Sequence, residues 1–257
     1  MSDALRAEWT KLRTQTTTVW LLTATGVATV GISAAAGAST HQTGFVHGGD
    51  AVRLSLVGVY LGQIVIASLA VTTLSEEYAT GVIRVTLAAM PRRFTVLAAK
   101  AANVCTLTAI VSAGAVAGCL LIGRVMLPAD GLDPAHGYAL VSLSSSATLR
   151  AASGTIIYLT LMALLSLGLA AVIRDTAVSI GVVVALLYLP PLLAQIVGGT
   201  LARDIKEFAP MTAGLAIQHT TNLRALPIQP WTGLAVTAGW AAAAMLLGGI
   251  VLQRRDA

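Results

Sequence analysis

Long apolar runs separated by short polar stretches dominate the chain. Six stand out: Val19–Ala38, Leu54–Leu74, Ala101–Ile122, Ala151–Ile173, Ala177–Gly199 and Trp231–Leu252. Each holds 20 to 23 residues and none contains Asp, Glu, Lys, Arg or His. About 20 apolar residues in helical geometry cross the hydrocarbon core of a bilayer. The pattern therefore predicts an all-α polytopic membrane protein with six transmembrane helices, forming a single transmembrane domain over 1–257. Two smaller elements join them. Before the first run, Leu5, Trp9 and Leu12 recur at helical spacing while Arg6, Lys11 and Arg13 lie off that stripe. This predicts a short interfacial helix over 3–16, apolar face toward the lipid; a frayed polar tail is the competing reading. Between runs two and three, residues 76–93 open with two acids, as suits a helix N-terminus. Val82, Val85 and Ala89 then repeat at helical spacing, and Pro91 closes the segment.

Composition sharpens the picture. The chain is 56% hydrophobic and 11% charged, with a mean hydropathy of +0.81. Soluble domains carry roughly 25% charge, so neither a soluble enzyme nor a disordered chain fits. The net charge of +5 reads as basic residues flanking spans rather than as a nucleic-acid footprint. With the N-terminus inside, ten Lys and Arg fall in inner segments and six in outer ones. This favours a multi-pass cell-membrane protein with both termini cytoplasmic, and it makes 76–93 a cytoplasmic helix. Ala36-Gly37-Ala38 mimics a signal-peptide cleavage site, but the run is long and the leader carries Asp3 and Glu8, so the first run reads as a span.

Three details refine the loops. The outer segment 200–230 is too long for a simple turn and carries Ile205, Phe208, Leu215, Ile217 and Leu223. It predicts a partly folded cap or a re-entrant pair of short helices. Pro190-Pro191 either bends the fifth helix or ends it. Cys105 and Cys119 stand 14 positions apart in one span, roughly 21 Å along a helix, too far to bridge. Both read as small buried apolar residues.

Missing chemistry narrows function. No G-x-x-x-x-G-K-[ST] phosphate loop, His-Glu-x-x-His helix or G-x-S-x-G elbow occurs, which leaves no catalytic residue and no metal site to name. Proton-coupled carriers use intramembrane acids or histidines as relays, and the six runs have none. Uphill transport would then draw its energy from a partner. Polar residues within the runs are sparse. Thr25 and Thr29 on the first, with Tyr60 and Gln63 on the second, are candidates to line a pathway. The competing reading is that the hydroxyls bond their own helix and let helices pack closely.

The stretch Glu77-Tyr78-x-x-Gly81-x-Ile83-Arg84-x-Thr86-Leu87, followed by Pro91-Arg92-Arg93, resembles the cytoplasmic loop of ABC-2 type transporter permeases. The leader Leu5–Arg13, the stretches Phe208-Ala209-Pro210-x-x-Ala213-Gly214-x-Ala216 and Pro230-Trp231-x-Gly233-Leu234, and the closing Arg254-Arg255-Asp256-Ala257 resemble actinobacterial members in the same order. Val82 departs from the threonine that many members carry after the loop glycine. The resemblance implies a permease subunit of an ATP-binding cassette exporter, paired with a second copy or a close relative. It implies that ATP and Mg bind a separate ATP-binding subunit, with no cofactor in this chain. It makes Glu76, Glu77, Tyr78, Gly81, Arg84, Arg92 and Arg93 the coupling region, with the interfacial helix supporting the same contact. The uncharged runs point to a hydrophobic or amphipathic compound as cargo. The competing readings are a non-transport scaffold or sensor subunit and a standalone secondary carrier.

Overall fold

The computed structural model describes residues 9–10, 16–43, 50–82, 93–129 and 141–254. Within them the chain is an all-α polytopic membrane protein: six helices are long and apolar enough to cross a bilayer. We number the α-helices in chain order. The spans are α1 Thr16–Thr43, α3 Val59–Ala79, α4 Arg93–Ala129, α5 Ser146–Ile173, α6 Thr176–Val197 and α9 Pro230–Arg254. Three short helices are also described: α2 Ala51–Ser55, α7 Gly199–Phe208 and α8 Pro210–Leu215. The end of the bundle that carries α2, α7 and α8 is called the cap face. The opposite end, with the α5–α6 turn, is the turn face.

The apolar runs locate the spans, but the helix ends differ in instructive ways. The second run was expected to be one helix from Leu54. It is broken after Ser55, and the span proper starts at Val59 and runs to Ala79. The break has a packing cause. Gly58 lies so close to α1 that a Cβ there would sit 1.8 Å from the Thr29 carbonyl oxygen. Its N–H donates to Ser33 Oγ at 3.0 Å. Because the span is displaced toward the turn face, Glu76 and Glu77 close α3 instead of opening a separate helix, which corrects the expected helix start at 76. Acids at a helix C-terminus oppose the helix dipole; here a lysine of α4 compensates, as described below. Helix α4 has 37 residues, roughly 55 Å at 1.5 Å per residue, so it extends well past a hydrocarbon core of about 30 Å. As a result Lys100 and Arg124, placed outside the third run by the sequence, are helical.

Pro190 and Pro191 do not end α6, which continues to Val197. The stop comes from Gly198 and Gly199, whose φ values of 68° and 63° lie in the left-handed region that glycine alone adopts without strain. The turn between α5 and α6 needs two residues. Arg174 takes a left-handed conformation with φ 67°, and Asp175 caps α6 by accepting from the Val178 N–H at 2.8 Å.

Helix α5 is the centre of the bundle, packed against α3, α4, α6 and α9. Tyr158, Met162, Leu165, Leu167 and Ala170 are fully buried on it. Gly168 lets α9 approach so closely that an added Cβ would lie 2.4 Å from the Ala244 backbone, the close helix contact that small residues allow in membranes. The outward faces carry Trp20, Ile110, Leu121, Leu189, Ile196 and Leu246 exposed, a surface suited to lipid. Cys119 is buried, Cys105 half-buried, and both are free.

Candidate functional site

The segment after α6 folds as a cap over one end of the bundle. Helix α7 leaves Leu201 and Phe208 exposed beside charged Arg203, Asp204, Lys206 and Glu207, the division expected of an interfacial helix. Helix α8 and the 3-10 turn Ala216–Gln218 turn inward and are almost wholly buried. Three contacts hold this cap. Thr237 Oγ1 donates to the Pro210 carbonyl at 3.1 Å, and Trp240 Nε1 donates to the Phe208 carbonyl at 2.9 Å. Arg150 donates to the His219 carbonyl at 2.6 Å. A fourth contact reaches across the sequence. Asp50 accepts from Thr220 Oγ1 at 2.6 Å, from the Thr221 N–H at 3.1 Å and from the Thr220 N–H, while also capping α2. The start of α2 and the tail of the cap are thus clamped by one carboxylate.

Between the cap and the bundle lies a cleft of about 430 Å³. Arg53, Lys206 and His219 supply its basic groups; Tyr60, Gln195 and Thr212 its uncharged polar ones. Pro191, Met211, Leu215, Ala216, Leu226, Pro227 and Ile228 form apolar walls. Among the described residues, no carboxylate lines it. Burial holds the His219 imidazole below its ordinary titration range, the Arg53 guanidinium adds to that, and Asp50 works against it.

Beneath the cleft sits a buried polar knot built by three spans. Gln63 of α3 is fully buried. Its Nε2 donates to Tyr188 Oη at 2.9 Å and to the Tyr60 carbonyl at 3.2 Å, and it contacts Met211 Sδ at 3.4 Å. Its Oε1 accepts from Tyr158 Oη at 2.5 Å. Tyr188 Oη in turn donates to the Tyr60 carbonyl. An amide placed in hydrocarbon without partners is costly; here both ends of Gln63 are satisfied, which fixes α3, α5 and α6 to one another below the cleft.

Of the four expected pathway residues, the structure brings two to this region. Tyr60 lines the cleft and Gln63 organises its floor. Thr25 and Thr29 lie elsewhere, buried on α1, where their hydroxyls donate to the carbonyls of Leu21 at 2.8 Å and Thr25 at 2.6 Å. Thr29 packs against Gly58 and Gly62, the helix-approach role that the sequence left open. Lys206, Met211, Gln195 and His219 escaped sequence reasoning. Tyr158 and Tyr188 did too, although a tyrosine inside an apolar run is a usable signal, because a buried phenol needs a partner.

On the turn face, the expected coupling residues divide. Arg84 and Arg92, with Leu5 and Leu12 of the interfacial helix, lie outside the described residues. Arg93 opens α4, and Trp9 is helical and exposed. Glu76 is half-buried, and Gly81 is exposed with φ 71°. Glu77 is buried and accepts from Lys100 Nζ at 2.7 Å; the ammonium also donates to the Thr73 carbonyl at 3.3 Å. Tyr78 carries the Arg174 guanidinium over its ring at 5.0 Å, a cation–π distance. Ser75 accepts from Thr176 Oγ1 at 2.8 Å. The last turn of α3 is therefore tied to α4 and to the α5–α6 turn together. Among the described residues, no three His, Cys, Asp or Glu side chains group so as to hold a metal ion. No family model and no curated protein matches the chain.

Proposed function

We propose that this chain is the membrane-spanning permease subunit of an ATP-binding cassette transporter, an exporter of a hydrophobic or amphipathic compound driven by a separate ATP-binding subunit. The observation that carries the reading is the ordered set of matching segments. The leader, the segment Glu77–Arg93 between spans two and three, the cap stretch and the closing residues occur in the order and topology of that family. The six-span bundle agrees with it. In this reading both termini are cytoplasmic, the turn face meets the ATP-binding subunit, and a second permease copy or close relative completes the complex.

The mechanism follows from how the segment is rooted. Residues 80–92 leave α3 at one end and enter α4 at the other. Glu77–Lys100 joins those two helices, and Arg174 on Tyr78 joins them to the α5–α6 turn. A push delivered to the segment by ATP-driven closure of the partner is thereby shared among four helices instead of bending one. Arg84, Arg92 and Arg93 offer the charge for acidic groups on the partner, since guanidinium–carboxylate pairs are strong and directional. Glu77 holds Lys100 within this chain and so roots the coupling segment in the bundle.

The test uses the full chain, tagged and purified from its own host membrane. Wild type is expected to carry an ATP-hydrolysing subunit with it. The Arg84→Glu/Arg92→Glu/Arg93→Glu variant is expected to lose that subunit while still eluting as a folded protein. An equal yield of the subunit and equal ATPase activity in both preparations would overturn the coupling assignment. A folded wild-type chain that carries no ATP-hydrolysing subunit would favour the scaffold reading.

A further inference from the structure

The cap-face cleft has a charge imbalance that power coupling does not use. Arg53 and Lys206 line it, and among the described residues no acid does. Neither cation makes an ion pair with a described residue. The acids nearby in sequence are committed or turned away. Asp50 keeps its charge but turns both oxygens to Thr220, the Thr221 N–H and the cap of α2, and it makes no ion pair with a described residue. Glu207 accepts from Arg203 at 3.0 Å. Asp204 stands two positions from Lys206 on α7, and residues two apart on a helix do not share a face.

The remaining surface is of the opposite kind. Pro191, Leu226 and Ile228 give the cleft an apolar wall, and the Tyr60 hydroxyl has no partner among the described residues. The volume of about 430 Å³ falls within the ~300–1,000 Å³ of small-molecule sites. That is room for one short chain and one headgroup. A purely apolar guest would leave both cations without an ion-pair partner among the described residues, and a free inorganic anion would leave the apolar wall uncovered.

We propose that this cleft binds an anionic amphiphile: a short alkyl or acyl chain ending in one acidic headgroup, phosphate or carboxylate. Arg53 and Lys206 hold the headgroup, and the chain lies on Pro191, Leu226 and Ile228. Pro191 and Gln195 of α6 line the cleft, and their neighbours Leu192, Leu193 and Ile196 are exposed, an apolar surface beside the site for the chain of an amphiphile. As a statement about a ligand site, the inference stands on the cleft alone. As a statement about cargo, it rests on the permease reading and adds a negative charge to the substrate class.

Binding is measurable without any ATP-binding subunit, so its failure is distinguishable from failure of the permease reading. The full chain is placed in nanodiscs of zwitterionic phosphatidylcholine, and radiolabelled octyl phosphate is titrated against matched empty discs. Saturable binding is expected. Octyl glucoside should bind at least about tenfold more weakly, given that one hydrogen bond to a charged group is worth about that factor. Inorganic phosphate should also bind at least about tenfold more weakly, because it lacks the chain and each buried CH₂ is worth roughly fourfold. Arg53→Gln/Lys206→Gln should lose about tenfold or more for octyl phosphate with an unchanged melting temperature. If the double variant does not fold, the single Lys206→Gln, on an exposed side chain, carries the same test. Ile228→Ser should weaken octyl phosphate and leave inorganic phosphate unaffected. Equal binding of octyl glucoside, or full retention by the charge variants, overturns the anionic headgroup. Inorganic phosphate binding as tightly as octyl phosphate overturns the amphiphile and leaves a plain anion site.

Discussion

Lys100→Met is the sharpest perturbation of the turn face. The side chains of Lys100 and Glu77 are 2% and 11% exposed and meet at 2.7 Å. Removing the ammonium leaves the Glu77 carboxylate closed off from water in the last turn of α3, where the negative end of the helix dipole also faces it. Breaking a buried pair by deleting one partner costs about 3–5 kcal/mol. At roughly 2–4 °C per kcal/mol for chains of this size, the melting temperature should fall by ~6–20 °C. The double replacement Glu77→Leu/Lys100→Met removes both charges. Apolar residues in place of a buried pair are often neutral or stabilising, so the double variant should recover most of the loss. The assay is thermal unfolding of the purified chain in one detergent, on all four members of the cycle. If Lys100→Met shifts the midpoint by less than about 2 °C, or the double variant melts no higher than the single, the pair does not hold α3 to α4.

Two further outcomes concern the cap face. Tyr158→Phe removes the only donor to Gln63 Oε1 among the described residues. It should cost about 0.6–1.7 kcal/mol, the range for interhelical hydrogen bonds in membranes. On a Gln63→Leu background the same change should cost nothing, and an equal cost on both backgrounds would detach Tyr158 from the knot. His219 gives a pH signature. Its titration is lowered in the folded state, so the stability tied to its neutral form is complete above the unfolded pKa of about 6.5 and is lost as pH falls toward the lowered folded value. The midpoint of wild type should therefore fall more steeply below pH ~6.5 than that of His219→Gln; parallel curves would remove His219 as the cause.

The architecture was legible because spanning a bilayer imposes a coarse rule, some 20 apolar residues, which all six runs obey. What the rule misses are the ends. The break before α3 falls within Leu56-Val57-Gly58, an apolar stretch with no local stop signal. It exists because Gly58 meets the Thr29 carbonyl of another helix. The expected helix start at Glu76 failed for the same reason: displacing α3 carried both acids into its last turn. Hydrophobicity also says nothing of pairing. Glu77 and Lys100 are 23 residues apart, and Asp50 and Thr220 are 170 apart; only the packed bundle brings them together. The cleft is illegible for that reason, since α2, α3, α6, α7 and α8 each contribute to it. Its floor was half visible. Tyr60 and Gln63 stood out as polar residues in an apolar run, yet their partners Tyr158 and Tyr188 sit on other spans.

The central claim is that work enters this bundle through the turn face from a separate ATP-hydrolysing chain. It is tested most directly by reconstituting the purified complex in sealed vesicles and measuring efflux of a fluorescent amphiphile with and without ATP. The account predicts movement that requires ATP, persists when ion gradients are collapsed, and fails in the Arg84→Glu/Arg92→Glu/Arg93→Glu variant. Movement that runs without ATP and stops when an ion gradient is collapsed would contradict it.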